Sequence, residues 1–208
     1  MPAEASPALG APDTWVAPLA RAVPALVLGL VVTFNQDHSV PFGLRGFGVF
    51  AIVTAAVLLA SGLRADRAVR GLVLAQGVVT AAAGVAALVL PAGGVGYLVS
   101  VVSAWAILAG ALELVNGIRF RRTRLAARDW IVTGAITVLL GLAFLLVPQS
   151  FSDPYAVEDK GQVISGAVTS DILLVGVLGA WAIIVGVQLA IATVTLRASR
   201  VAPQEVGA

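Results

Sequence analysis

The arginines of this chain fall in loops between six apolar stretches, and the loops alternate between arginine-rich and arginine-poor. Arg64, Arg67 and Arg70 lie between the second and third stretches. Arg119, Arg121, Arg122, Arg124 and Arg128 lie between the fourth and fifth, and Arg197 and Arg200 follow the sixth. The intervening connections hold Arg45 near the first, no charge over 91–96, and only Lys160 against Asp153, Glu158, Asp159 and Asp171 over 149–171. By the positive-inside rule the arginine loops and both termini face the cytoplasm, and the acidic loop faces out. The composition agrees: 59% of residues are hydrophobic and 12% charged, against about 25% charged in soluble domains.

The stretches run over 19–34, 44–63, 71–90, 97–118, 130–147 and 172–196, close to the roughly 20 residues that cross a bilayer core. The expected fold is an all-α polytopic membrane protein. A six-helix bundle over 19–196 follows a disordered tail over 1–18 and precedes a cytoplasmic tail over 197–208. The first stretch is the weakest, interrupted by Arg21 and Pro24. It can still span if the arginine snorkels and the proline sits in the first helical turn. No basic segment precedes an apolar one at the N-terminus, so no cleaved signal peptide is read there.

The stretches repeat. An offset of 57 places Gly77, Thr80, Gly84 and Pro91 on Gly134, Thr137, Gly141 and Pro148. An offset of 55 places Phe50, Ala51 and Ile52 on Trp105, Ala106 and Ile107, and a further 76 carries Trp105 and Gly110 to Trp181 and Gly186. The unit is a helical hairpin present three times in parallel orientation, with the third outer loop expanded and the first span matching poorly. Gly77, Thr80 and Gly84, like Gly134, Thr137 and Gly141, share one helical face, which is how helices pack closely in lipid. Gly84 and Gly141 are expected at crossings that admit no side chain. Pro91 and Pro148 mark helix ends.

Few residues carry chemistry. Glu113 lies inside the fourth span, where a carboxylate is paired, neutral or functional. A pair with Arg21, or a bond to Asn116, is favoured over a proton or cation relay. A purely structural Glu113 predicts that Glu113→Gln is tolerated. Its repeat copies are Leu58 and Leu189, and Gln76 and Gln188 are isolated amides that bridge helices. Phe50, Trp105 and Trp181 sit at matched depth as packing aromatics, with Thr80, Thr137 or Ser103 available to the indoles. No ligand set is read; Glu113, Arg21, Trp105 and Trp181 are the weak candidates to line one. His38 beside Asp37 invites a pH-sensor reading, but a lone loop histidine is more often solvated and inert.

No catalytic set, metal site, cofactor motif or nucleic-acid surface is present in the sequence, and there is no cysteine. Arg119, Arg121, Arg122 and Arg124 are read as contacts for anionic headgroups. In the outer loop, Asp159, Lys160 and Gly161 form a turn signal between β-prone flanks, so 149–171 is either a hairpin, and then a surface for a protein partner, or disordered. Oligomerisation is left open.

The segments Trp105–Arg119 (WAILAGALELVNGIR) and Trp130–Pro148 (WIVTGAITVLLGLAFLLVP) together resemble the HdeD-like family of small bacterial membrane proteins, built as six helices from a short repeat. The resemblance covers roughly residues 20–197 and departs at the first span and the long outer loop. It implies an inner-membrane, non-enzymatic protein with a structural or accessory part in envelope or acid stress. The alternative is a small transporter or channel for a proton, ion or lipid-like solute that uses Glu113.

Overall fold

The computed structural model describes residues 15–159 and 162–201. Six helices run over Val16–Phe34 (α1), Val40–Arg64 (α2), Arg67–Val89 (α3), Gly94–Phe120 (α4), Ala127–Leu146 (α5) and Ser170–Val201 (α6). The helix boundaries follow local chemistry. Pro41 fits the first turn of α2, where an amide proton would lack an intrahelical acceptor anyway. α3 and α5 stop two residues before Pro91 and Pro148, because proline forces its predecessor out of helical geometry. Asp37 accepts the Ser39 N–H at the entry to α2, and hydrogen bonding from the Ser39 hydroxyl and then from this N–H holds its carboxyl below the usual carboxylate range.

All six helices are long and apolar enough to cross a membrane. Large apolar side chains remain exposed along them, among them Val23 and Val27 on α1, Val78 and Val85 on α3, and Leu139 and Leu142 on α5. In water such a surface would aggregate; in lipid it is the solvated face. The chain is an all-α polytopic membrane protein that carries one short β-hairpin.

The two ends of the bundle differ from expectation. Val16–Pro18, read as part of a disordered tail, form the first turn of α1, while 1–14 lie outside the described residues. Pro24 therefore sits two turns inside α1 rather than in its first turn. α6 continues through 197–201, into what was expected to be the C-terminal tail, and 202–208 lie outside the described residues.

The 149–171 loop, expected to face out, forms a hairpin over its described residues. β1 (Ser152–Asp159) pairs antiparallel with β2 (Gln162–Thr169), from Ser152 opposite Thr169 to Asp159 opposite Gln162. The Lys160 and Gly161 of the expected turn lie outside the described residues. The Tyr155 ring covers its cross-strand partner Gly166, where even a Cβ would lie 2.6 Å from the phenol oxygen. The hairpin is tied to the bundle by the Ser170 N–H donating to the Phe151 carbonyl and by the Ser170 hydroxyl donating to the Gln149 carbonyl.

The closest helix pairs are α2 with α3, α4 with α5, and α6 with α1. The expected unit joined helices across the outer loops, whereas the tight pairs join across the arginine loops, and the third is closed by the two ends of the chain. α1 is accordingly a full copy. At offset 55 its buried Ala22, Ala25, Leu28, Gly29 and Val32 fall on Gly77, Thr80, Ala83, Gly84 and Ala87 of α3. Each pair crosses at the same place. A Cβ at Gly29 would lie 3.1 Å from the Gly179 carbonyl oxygen, one at Gly48 would lie 3.2 Å from that of Gly84, and one at Gly141 would lie 3.1 Å from that of Ser103. Gly48, Ser103 and Gly179 are repeat copies, as are Gly29, Gly84 and Gly141. Small residues were chosen at these sites because nothing else lets two backbones approach so closely.

Candidate functional site

Where the three pairs meet, the repeat sets line a shared axis. At its middle Phe50, Trp105 and Trp181, one from each pair, pack edge to face. Centroids are 5.9 Å apart for Phe50 and Trp105, 5.6 Å for Phe50 and Trp181, and 5.3 Å for the two indoles, with interplanar angles of 84°, 84° and 88°. Edge-to-face geometry sets the positive edge of one ring against the negative face of another. All three are buried, and Phe47 adds a fourth ring 5.0 Å from Trp105. Towards the hairpin end the core continues as Leu44, Leu98, Val102, Phe144, Leu174 and Leu178, so the axis is closed there by apolar side chains.

Towards the arginine end the axis becomes polar. A chamber of about 20 Å³ lies beneath the rings, and its wall consists of five threefold sets. These are Phe50, Trp105 and Trp181; Thr54, Ala109 and Val185; Leu58, Glu113 and Leu189; Arg21, Gln76 and Thr133; and Ala25, Thr80 and Thr137. Beyond it a vestibule of about 490 Å³ opens between the α2–α3 and α4–α5 connections and the free ends of α1 and α6. Arg21, Leu58, Gln76, Glu113 and Leu189 border both spaces and form the partition between them.

The partition is held by a buried ion pair. Arg21 Nη1 donates to Glu113 Oε1 at 2.6 Å and Nη2 to Oε2 at 2.8 Å, while Gln76 Nε2 donates to Oε2 at 2.8 Å. Glu113 is 4% exposed, so its charge is tolerable only because a parallel two-bond guanidinium and an amide surround it. α1, α3 and α4 are thereby joined at one carboxylate. The pair stands seven residues before the end of α4, about 10 Å along the helix from its tip.

Some site residues depart from their sequence reading and others follow it. Gln76 is not isolated: it joins Glu113, so a polar cluster exists where separate single residues were expected. Asn116 does not bond Glu113, and its Oδ1 is buried without a partner. Gln188 bridges to Asp129 on α5 at 3.2 Å. Trp105 donates to the Thr80 hydroxyl at 3.2 Å, but the Trp181 indole N–H has no partner. Arg124, read as a lipid headgroup contact, pairs with Asp66 at 2.5 Å and clips the two arginine loops together. Arg119 and Arg124 also lie over the Phe120 ring, while Arg121 and Arg122 are exposed. His38 is half-buried, with Nδ1 3.3 Å from the Gln36 carbonyl.

Of the six expected packing residues, Gly134 makes the closest approach: a Cβ there would meet Leu114 N at 2.6 Å and the Gly110 carbonyl at 2.8 Å. At Gly84 the nearest atoms are side chains, Ala51 Cβ and Ile52, at 3.1 Å. Gly77 faces Leu59 and Leu58, and Thr80 and Thr137 each donate back to the carbonyl four residues earlier. Among the described residues no group of three histidine, aspartate or glutamate side chains converges as a metal site.

No curated protein and no solved structure matches this chain. Residues 75–146, from within α3 to the end of α5, match the model of a family described as a short repeat of unknown function (DUF308).

Proposed function

We propose that this is a non-enzymatic inner-membrane protein of the HdeD-like kind, an accessory protein of the stressed bacterial envelope that works as a ligand-holding bundle rather than a pore. The observation that carries this reading is the asymmetry of the axis. A vestibule within the 300–1,000 Å³ range of small-molecule sites enters from the arginine end, the Arg21–Glu113 partition forms its floor, and beyond the chamber the three edge-to-face rings close the axis. The vestibule walls are mainly apolar, with charge at the mouth and floor, which suits an amphipathic small molecule. Proteoliposomes containing the protein are expected to leak protons and salts no faster than protein-free vesicles at neutral and acid pH. Protein-dependent flux would instead favour the second reading, a small transporter, whose support is the ion pair on the vestibule floor.

In the proposed orientation the arginine end is cytoplasmic and the hairpin outside. Ser152 and Thr123 are both exposed, and the chain has no cysteine. In intact cells an impermeant thiol reagent should label Ser152→Cys and leave Thr123→Cys unlabelled until the membrane is opened. The reverse pattern would invert the topology.

A further inference from the structure

The chamber holds more hydrogen-bonding capacity than its own side chains satisfy. Four buried polar atoms in its wall have no partner: Arg21 Nε, Trp181 Nε1, Thr54 Oγ1 and Thr133 Oγ1. The two nitrogens are donors only. Both threonines also depart from the habit of their neighbours, since Thr80, Thr137 and Thr193 each donate to the carbonyl four residues earlier. Thr54 and Thr133 make no such bond, which leaves each hydroxyl able to donate or accept. A buried polar group without a partner is costly, and here four are gathered around one space.

We propose that the chamber is a binding site for a single water-sized hydrogen-bond acceptor, a water molecule or a monatomic anion, held by Arg21 Nε, Trp181 Nε1 and the Thr54 and Thr133 hydroxyls. The size fits: about 20 Å³ exceeds the roughly 10–15 Å³ that one water needs, and the four groups meet its need for two to four polar partners. Arg21 spans the site. Its terminal nitrogens are taken by Glu113, while its Nε is left for the chamber. The occupant therefore extends the ion pair to the aromatic layer, and it exchanges with the vestibule through the partition at Glu113 and Gln76. The site depends on the vestibule only for access and stands whether or not the protein transports anything.

The test turns on sign. If the chamber were dry, Thr133→Val would remove an unpaired buried hydroxyl and leave melting unchanged or raise it; if an occupant is bound, the same near-isosteric change removes one of its bonds. In detergent, Thr133→Val should lower the Tm by about 2–4 °C. Combined with Trp181→Phe, the loss should be smaller than the sum of the two single losses, because once one bond to the occupant is gone the other has less to hold. If Trp181→Phe does not fold, Thr54→Val replaces it in the cycle. An unchanged or raised Tm for Thr133→Val, or strict additivity, would overturn the site. Repeating the series in potassium chloride and potassium gluconate separates the sources. A Tm gain in chloride that vanishes in Thr133→Val identifies an anion, and equal values identify water.

Discussion

Glu113→Gln should destabilise the detergent-solubilised protein by about 3–5 kcal/mol, the loss expected when one partner of a buried pair is removed and the other charge stays behind. This reverses the expectation that glutamine is tolerated, and the reason is geometric. Both carboxylate oxygens are engaged by Arg21, and one also accepts from Gln76. A glutamine offers one acceptor oxygen and no charge, and it turns an amide N–H towards donors that already face it. Glu113→Leu should be no better, although leucine is what the other two repeats carry at Leu58 and Leu189. Removing both charges should be far milder: Arg21→Met with Glu113→Leu is expected to recover most of the stability, since replacing a whole buried pair by apolar groups of similar volume is often neutral or stabilising. Denaturant titration of the three variants decides it. A double variant as weak as Glu113→Gln would show that the cluster is held by something other than its charges.

The sequence shows the repeat wherever residue identity persists and hides it wherever only burial persists. Gly77, Thr80 and Gly84 recur letter for letter in α5, and the aromatic set recurs as Phe50, Trp105 and Trp181, so both are legible from spacing alone. α1 keeps the same buried positions but fills them with Ala22, Ala25 and Gly29 and puts Arg21 where α3 has Gln76 and α5 has Thr133. Ala22 and Ala25 are buried where α3 has Gly77 and Thr80, so burial persists while the letters change. The closure of α1 on α6 follows from that and from nothing local. Glu113 and Arg21 were recognisable as partners because depth is readable from helical rise. Gln76 was not, because which face of one helix meets which face of another is a tertiary fact. The chamber was invisible for the same reason: threonines at 54 and 133 look in sequence like any others that bond their own helix.

The second large effect is expected at Gly134. Helices α4 and α5 approach there backbone to backbone, with Cβ positions at Gly110 and Gly134 each within 2.9 Å of the opposite main chain. A side chain in the way can rotate, but a main chain in a helix moves only with its helix. Gly134→Ala should therefore force α4 and α5 apart and cost about 1–3 kcal/mol or more. Gly84→Ala should cost less, because its nearest neighbours are side chains at 3.1 Å, one of them the adaptable Ile52. Gly71→Ala sets the baseline. That glycine is exposed in the first turns of α3 with nothing within 4 Å of its Cβ, and alanine there should add about 0.5–1 kcal/mol of stability through the lower backbone entropy of the unfolded chain. The predicted order of thermal stability in one detergent is Gly71→Ala above the parent, then Gly84→Ala, with Gly134→Ala lowest. If Gly134→Ala melted with Gly71→Ala, close backbone contact would not be what holds this pair together, and the glycine repeat would lose its packing explanation.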